Sequence, residues 1–226
     1  MNLLSDVKLV LLDFDGLLVD TEQLHFLAYK KMCLSYGFVL PWEFKDFCEV
    51  AHRSSTGIKE KIYLDIPALK QIEPDWSVLY AKKKVEYKKI LENDPIHLLP
   101  GVKCFLNALE QRNISRAVVT NSPREQIDAI KSKIPELSMI PYWYTREDYK
   151  NAKPEPDGYL KALADLAQPG DKVLGFEDTY RGFTALDSAK VKGVVVSDLL
   201  SEEFIGALKS KGAEIYPSFT ELLSQL

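Results

Sequence analysis

Cysteine is scarce in this chain. There are three, Cys33, Cys48 and Cys104, far apart and odd in number. No CxxC pair and no Cys/His cluster offers a zinc site, and no even framework suggests secretion. Reduced, buried thiols in a cytoplasmic protein are the expectation. Long apolar runs are missing too: none approaches the roughly 20 residues that span a bilayer. The opening Met-Asn-Leu-Leu-Ser-Asp lacks a basic segment followed by an apolar stretch and a cleavage site. Excess positive charge is absent. The formal net charge is -4, which argues against nucleic acid or an anionic membrane as partner. Any anionic substrate must therefore be met by a local site. Nor is there an internal repeat or a low-complexity linker. The expectation is a soluble, cytoplasmic protein, taken as a monomer.

What is present is an ordinary globular balance. Of the 226 residues, 46% are hydrophobic and 27% charged, enough for one filled core plus a smaller insert. Val7 to Leu12 is nearly all apolar, with Lys8 the interruption. Short runs of this kind suit strands buried on both faces of a parallel sheet. Similar runs recur at Ala117 to Val119, Val173 to Phe176 and Val194 to Val196, with a weaker one at Ala213 to Tyr216. Helical patterns lie between them. Val102 to Gln111 places Val102, Phe105, Leu106 and Leu109 on one face. Asp157 to Ala167 does the same with Tyr159, Leu160, Leu163 and Leu166, and Asp157 is its expected N-cap. Alternating strand and helix predicts an α/β core with a Rossmann-like, mainly parallel sheet.

About a hundred residues separate the first two strands, far more than the ~10–12 of a simple crossover. They read as helical. Asp20 with Gln23 resembles a capping box, opening a helix that closes near Gly37. Trp76 to Glu92 carries an apolar stripe of Val78, Leu79, Val85 and Ile90. Its five lysines, 82, 83, 84, 88 and 89, are expected on a solvated face. The expectation is an α/β core of residues 1–17 and 97–226 with an inserted α-helical cap at 18–96.

Chemistry-bearing residues gather where strands end. The first strand runs into Asp13-Phe14-Asp15-Gly16, followed by Asp20. In open α/β sheets ligands bind beyond the carboxyl ends of the strands. Paired carboxylates there repel unless a divalent cation or a shared proton relieves them. One can attack phosphorus and the other, protonated, can assist the leaving group. The same four residues read equally well as an Asp-Gly turn. The second strand ends in Thr120-Asn121-Ser122 before Pro123, which suits a phosphate cradle at a helix N-terminus. Lys153-Pro154-Glu155-Pro156 could hold a lysine in place as a fixed charge. Gly175-Phe176-Glu177-Asp178 ends a further strand in two acids, the hard oxygen ligands that magnesium takes or, more plainly, helix caps.

Four such motifs in this order resemble the haloacid dehalogenase superfamily. The likeness is to the branch of β-phosphoglucomutase and phosphoglycolate phosphatase-like enzymes with a helical cap, and it covers nearly the whole chain. The resemblance implies a magnesium-dependent phosphatase. Asp13 would be the nucleophile and a metal ligand, and Asp15 the general acid and base that gives the metal its backbone carbonyl. Thr120 and the Asn121 N–H would hold phosphoryl oxygens. Lys153 would neutralise charge, and Asp178 with Glu177 would complete the metal site. The implied substrate is a small phosphorylated metabolite, a phosphosugar or nucleoside monophosphate, with His25, His52 and Arg53 as cap contacts. Two alternatives stay open. One is a hexose-phosphate mutase, for which the cap arginine, Arg53, looks displaced. The other is a non-catalytic phospholigand binder, which would not need a nucleophile.

Overall fold

The structure is a computed structural model that describes residues 3–53 and 56–225; the side chains of His52 and Arg53 lie outside the described part. The chain divides into two compact units. One holds the residues up to Asp20 and from His97 onward, the other Thr21–Ile96.

The first unit is built on a six-stranded sheet: β1 (Val7–Leu12), β2 (Ser115–Val119), β3 (Tyr142–Tyr144), β4 (Lys172–Glu177), β5 (Lys192–Val196) and β6 (Glu214–Tyr216). The strand order is β3-β2-β1-β4-β5-β6 and every pairing is parallel. The sheet is the Rossmann-like α/β fold that the alternation of strand and helix predicts. Successive side chains of β1 point to opposite faces, and because helices cover both faces, Leu9 through Leu12 are all buried. Leu9 and Leu11 pack with Tyr159 and Ala162 of helix Asp157–Leu166 and with Leu186 of helix Tyr180–Ser188. Elsewhere Phe105 of helix Val102–Gln111 meets Phe176 edge-on, with ring centroids 5.0 Å apart, and Phe219 at 4.7 Å.

This order places the chemistry. The chain runs outward from β1 in both directions, so the switch of direction lies beside β1, where open α/β sheets bind ligands. Leu12 is in register with both Val118 and Phe176. The next residue, Asp13, donates its N–H to the Phe176 carbonyl at 2.9 Å, which sets it beside Glu177.

Several local expectations are corrected. The edge strand β3, Tyr-Trp-Tyr, is absent from the expected runs, because three residues beside Pro141 carry too little pattern. The Asp20/Gln23 capping box does not form: the helix is Glu22–Leu34, and its N-cap Thr21 makes no side-chain cap bond. Asp157 is the first residue of its helix rather than the cap, and its carboxylate accepts from the Asn151 backbone N–H (3.1 Å) and Nδ2 (2.9 Å). Cys33 and Cys48 are buried free thiols as expected, but Cys104 is exposed.

The second unit has its own core, including Met32, Cys33, Ile62, Leu69 and Leu79. Its long helix, Trp76–Asn93, buries Leu79 and Ile90 of the expected stripe but turns the other two residues outward. Val78 and Val85 are exposed at 43% and 49%, whereas Leu79, Lys83, Tyr87, Ile90 and Leu91 are buried. Lys83 is therefore no solvated lysine. Its Nζ lies 2.6 Å from His25 Nδ1, 4.6 Å from the Tyr87 ring centroid and 5.1 Å from that of Tyr29. An ammonium only donates, so Nδ1 accepts and the imidazole is neutral with its proton on Nε2. The His25 ring stacks on Tyr87 at 4.1 Å. The aromatic faces around Lys83 favour its charge.

His25 keeps part of its area open, yet protein crowds its ring. Desolvation, seconded by the Lys83 charge, holds its pKa well below the ordinary histidine value. This gives a pH prediction. With the folded pKa depressed, the unfolded chain binds the extra proton below about pH 6.5 and the folded chain does not. Stability should be full above that pH and fall as the pH drops, by up to about 1.4 kcal/mol per unit. Denaturant unfolding of the wild type and His25→Gln at several pH values checks this. The variant should lose that part of the acid slope; an unchanged slope would contradict the neutral, buried ring.

Candidate active site

The site is assembled from the carboxyl ends of β1, β2 and β4 and the loop around Lys153. After β1 the chain turns at Gly16, whose φ of +76° is readily available to glycine. The Gly16 N–H donates to the Val19 carbonyl at 3.0 Å, and that of Leu18 to the Phe14 carbonyl at 2.9 Å. Asp13 and Asp15 both leave the strand within this turn.

Lys153 stands between two carboxylates. Its Nζ forms short ion pairs with Asp13 Oδ1 and, at 2.6 Å, with Glu177 Oε1, and donates to the Val119 carbonyl at 2.7 Å. All three side chains are buried. Burial works against the Lys153 ammonium, but Asp13 and Glu177 outweigh it and raise its pKa above the usual lysine value. Burial pushes Glu177 up, with Lys153 opposing and Asp13 adding to the rise. The two directions pull apart for one ion pair. The geometry favours a charged Lys153, since two carboxylates share it, and Glu177 is then the group left with excess negative charge.

The loop carrying Lys153 is clamped by the end of β2. Asn121 Oδ1 accepts from the Lys153 backbone N–H at 3.0 Å, and its Nδ2 donates to the Lys153 carbonyl at 3.4 Å. Tyr149 donates its hydroxyl to the Thr120 carbonyl at 2.6 Å and lies 3.0 Å from Asn121 Oδ1. The Asn121 side chain is thus spent on the lysine loop. Thr120 Oγ1 accepts from the Ser122 N–H at 3.0 Å and lies 3.4 Å from Asp15 Oδ2. Helix Arg124–Lys131 follows directly, with Pro123 at its N-cap.

Asp13, Glu177 and Asp178 each offer a carboxylate oxygen within 4.8 Å of the others, and all three are buried. The acids are not helix caps. Thr179 caps helix Tyr180–Ser188, its hydroxyl accepting from the Gly182 N–H at 3.1 Å. Gly182 leaves room for an acid: a Cβ there would overlap the Glu177 carboxylate. The buried hydroxyl of Tyr159 donates to Glu177 Oε1. Three buried carboxylates gather here, and the Lys153 ammonium pairs with two of them, Asp13 and Glu177. Three clustered carboxylate oxygens are the donor type that a hard divalent cation takes.

The residues of the four motifs fall together as a chemical unit. The chain belongs to the haloacid dehalogenase-like hydrolase family. The family model matches residues 10–196, from within β1 to the end of β5. A curated relative, the phosphorylated carbohydrates phosphatase of Thermotoga maritima, is 33% identical over 84% of this chain and 87% of its own. The solved structure of CbbY from Rhodobacter sphaeroides in complex with phosphate matches at a TM-score of 0.73, with 23% identity over 97% of this chain and 99% of that one. The β-phosphoglucomutase of Clostridium difficile matches at 0.70, with 21% identity over 96% and 93%. At those identities the two structures speak for the fold alone. The chain is accordingly an enzyme of the hydrolase class, and its curated relative is a phosphatase.

Of the expected site residues, Asp13, Asp15, Thr120, Asn121, Lys153, Glu177 and Asp178 all lie in the first unit at this sheet edge. His25 lies in the second, bonded to Lys83. His52 and Arg53 lie outside the described side chains. Reading the sequence misses Gln126 beside Asp15, Tyr149, Tyr159 and the buried Lys83, and it places Ser122 in the cradle motif without its bond to Asp15. Tyr159 was visible as one of an apolar helical stripe, but nothing in a stripe says where a hydroxyl points.

Proposed function

We propose that the chain hydrolyses a small phosphorylated metabolite, a phosphosugar or a nucleoside monophosphate, through an aspartyl-phosphate on Asp13. The observation that carries this reading is the buried arrangement of Asp13 against Lys153, with Glu177 and Asp178 beside it. A nucleophilic carboxylate needs its charge balanced without being capped by a proton, and Lys153 does that. Asp13 attacks phosphorus and the ester P–O bond breaks. The leaving oxygen takes a proton from Asp15. Water then gives a proton to Asp15 and attacks the same phosphorus. The acyl-phosphate P–O bond breaks, restoring the Asp13 carboxylate and releasing phosphate. Thr120 and the Asn121 N–H hold phosphoryl oxygens while Lys153 balances the charge that builds there.

Magnesium would be held by Asp13, Glu177, Asp178 and the Asp15 carbonyl, and would supply charge stabilisation for the phosphoryl oxygens. The helical unit would serve as the cap over residues 18–96, choosing among substrates. His25 and the 52–53 segment are its expected contacts. The phosphatase named among the relatives supports hydrolysis over mutase chemistry, and an intact nucleophile, acid and lysine support catalysis over simple binding. The test is a panel of phosphorylated metabolites with and without magnesium, following phosphate release. Magnesium-dependent release from sugar or nucleoside monophosphates is expected. Bisphosphate-dependent isomerisation of β-glucose 1-phosphate with little phosphate release would replace hydrolysis by the mutase reading.

Gly182 gives a prediction for the metal. Gly182→Ala should push the Glu177 carboxylate aside and weaken magnesium binding about 10–100-fold, as supporting-shell changes commonly do. Calorimetric titration and the magnesium-dependent rise in melting temperature should both record this. An undiminished magnesium response would remove Glu177 from the metal site.

A further inference from the structure

The carboxylate of Asp15 is tied into a closed ring of hydrogen bonds. Ser122 Oγ lies 2.5 Å from Asp15 Oδ2, and Gln126 Nε2 lies 3.2 Å from Asp15 Oδ1. Gln126 Nε2 also lies 3.0 Å from Ser122 Oγ. The longer Thr120 contact adds to Oδ2. The chemistry of the groups fixes the sense of the ring. An amide nitrogen carries two N–H bonds and accepts none, so Gln126 can serve Asp15 and Ser122 together. Ser122 then accepts from Gln126 and donates to Asp15. With Asp15 ionised, turning the amide over would set its oxygen against the carboxylate, so the donating orientation is favoured.

One hydrogen bond would leave the carboxyl group free to turn about its last torsion, which is broad for aspartate. Anchoring both oxygens on two bonded side chains removes that freedom. Gln126 sits in the first turn of helix Arg124–Lys131 and is half-buried. A glutamine in that place could bond water at no cost, yet its amide is aimed at the turn that carries Asp15.

We propose that Gln126, working with Ser122, is a positioning residue that fixes the plane of the Asp15 carboxyl group and so sets proton delivery to the leaving oxygen. The proposal rests on the role of Asp15 as acid and base given above. A wrongly turned acid slows the step that needs the proton. A sugar or other alkyl leaving group needs it, because an alkoxide is a poor leaving group. A para-nitrophenolate leaves readily without it.

The test measures kcat/KM of the magnesium-loaded enzyme on two esters: the best alkyl phosphate from the metabolite panel, and para-nitrophenyl phosphate. Gln126→Met keeps length and helix propensity and removes both donors. It should lower kcat/KM on the alkyl ester by about tenfold or more, within the range that a positioned acid contributes, and lower it much less on the aryl ester. Ser122→Ala should show the same bias and serves if Gln126→Met folds poorly, which its melting temperature will show. Asp15→Asn is the reference. On its background Gln126→Met should add no further loss on the alkyl ester, since the group it acts through is gone. If Asp15→Asn itself shows no bias between the esters, the acid role of Asp15 fails and the proposal falls with it. If Asp15→Asn shows the bias while the Gln126 and Ser122 variants slow both esters equally, slow neither, or add fully to Asp15→Asn, the positioning role alone is overturned.

Discussion

Asp13→Asn is expected to lower turnover by at least about 10³-fold, because an amide in that place does not attack phosphorus at a useful rate. The fold should survive. Asp13 sits among like charges, with Glu177 and Asp178 within 4.8 Å, and Lys153 pairs with both Asp13 and Glu177. The exchange removes one of these crowded negative charges and keeps the Lys153–Glu177 pair. In excess chelator the variant should therefore melt no lower than the wild type, the usual sign of a site built for activity at some expense of stability. Magnesium should protect it less, since one carboxylate ligand is weakened. Steady-state rates and melting curves with and without magnesium check both halves. Turnover near the wild-type rate would remove Asp13 from the chemistry.

Lys153→Met should damage activity and stability together. The ammonium is buried between Asp13 and Glu177, and its loss leaves two buried carboxylates facing each other. Removing one partner of a buried ion pair costs about 3–5 kcal/mol, or roughly 10 °C in a chain of this size. The clamp that Asn121 builds around the Lys153 backbone uses main-chain groups and survives the exchange, so the loop should keep its place. Turnover should fall about 10²–10³-fold, the usual loss when one charge-stabilising donor is removed. Magnesium should restore a larger share of the melting temperature than it adds to the wild type, because the unpaired carboxylates take up its charge, without restoring the rate. An unaltered rate would leave Lys153 a purely structural residue.

The sheet was legible because burial on both faces leaves a plain signature in short runs. Val7–Leu12 reads as a strand from its composition, and the helix Val102–Gln111 from its spacing. The two acids after β1 and the two ending β4 were legible as chemistry only together, since each pair alone reads as a turn or a cap. What stayed hidden depends on which way a side chain turns. Lys83 looks like its exposed neighbours in a lysine-rich helix, yet it is only 4% exposed because His25 and three tyrosines receive it. Gln126 is an unremarked helix residue until β1 and β2 are paired and Asp15 comes within reach of it. Tyr159 counts as one more apolar contact until β4 places Glu177 beside its hydroxyl. Register and topology create these contacts between residues some 18 to more than 100 positions apart, as the Tyr159–Glu177 and Asp15–Gln126 pairs show. Periodicity along one segment carries no record of them.

Phosphate is expected to pass through Asp13, and trapping the phosphoenzyme measures this transfer without an intermediary. The magnesium-loaded enzyme is mixed with a substrate labelled in its phosphoryl group, quenched in acid within the first turnover, and digested to peptides. A hydroxylamine-sensitive label is expected on the peptide containing Asp13, appearing no later than free phosphate and absent from Asp13→Asn. Rapid turnover with no labelled peptide at any quench time, or a label on a residue other than Asp13, would contradict it.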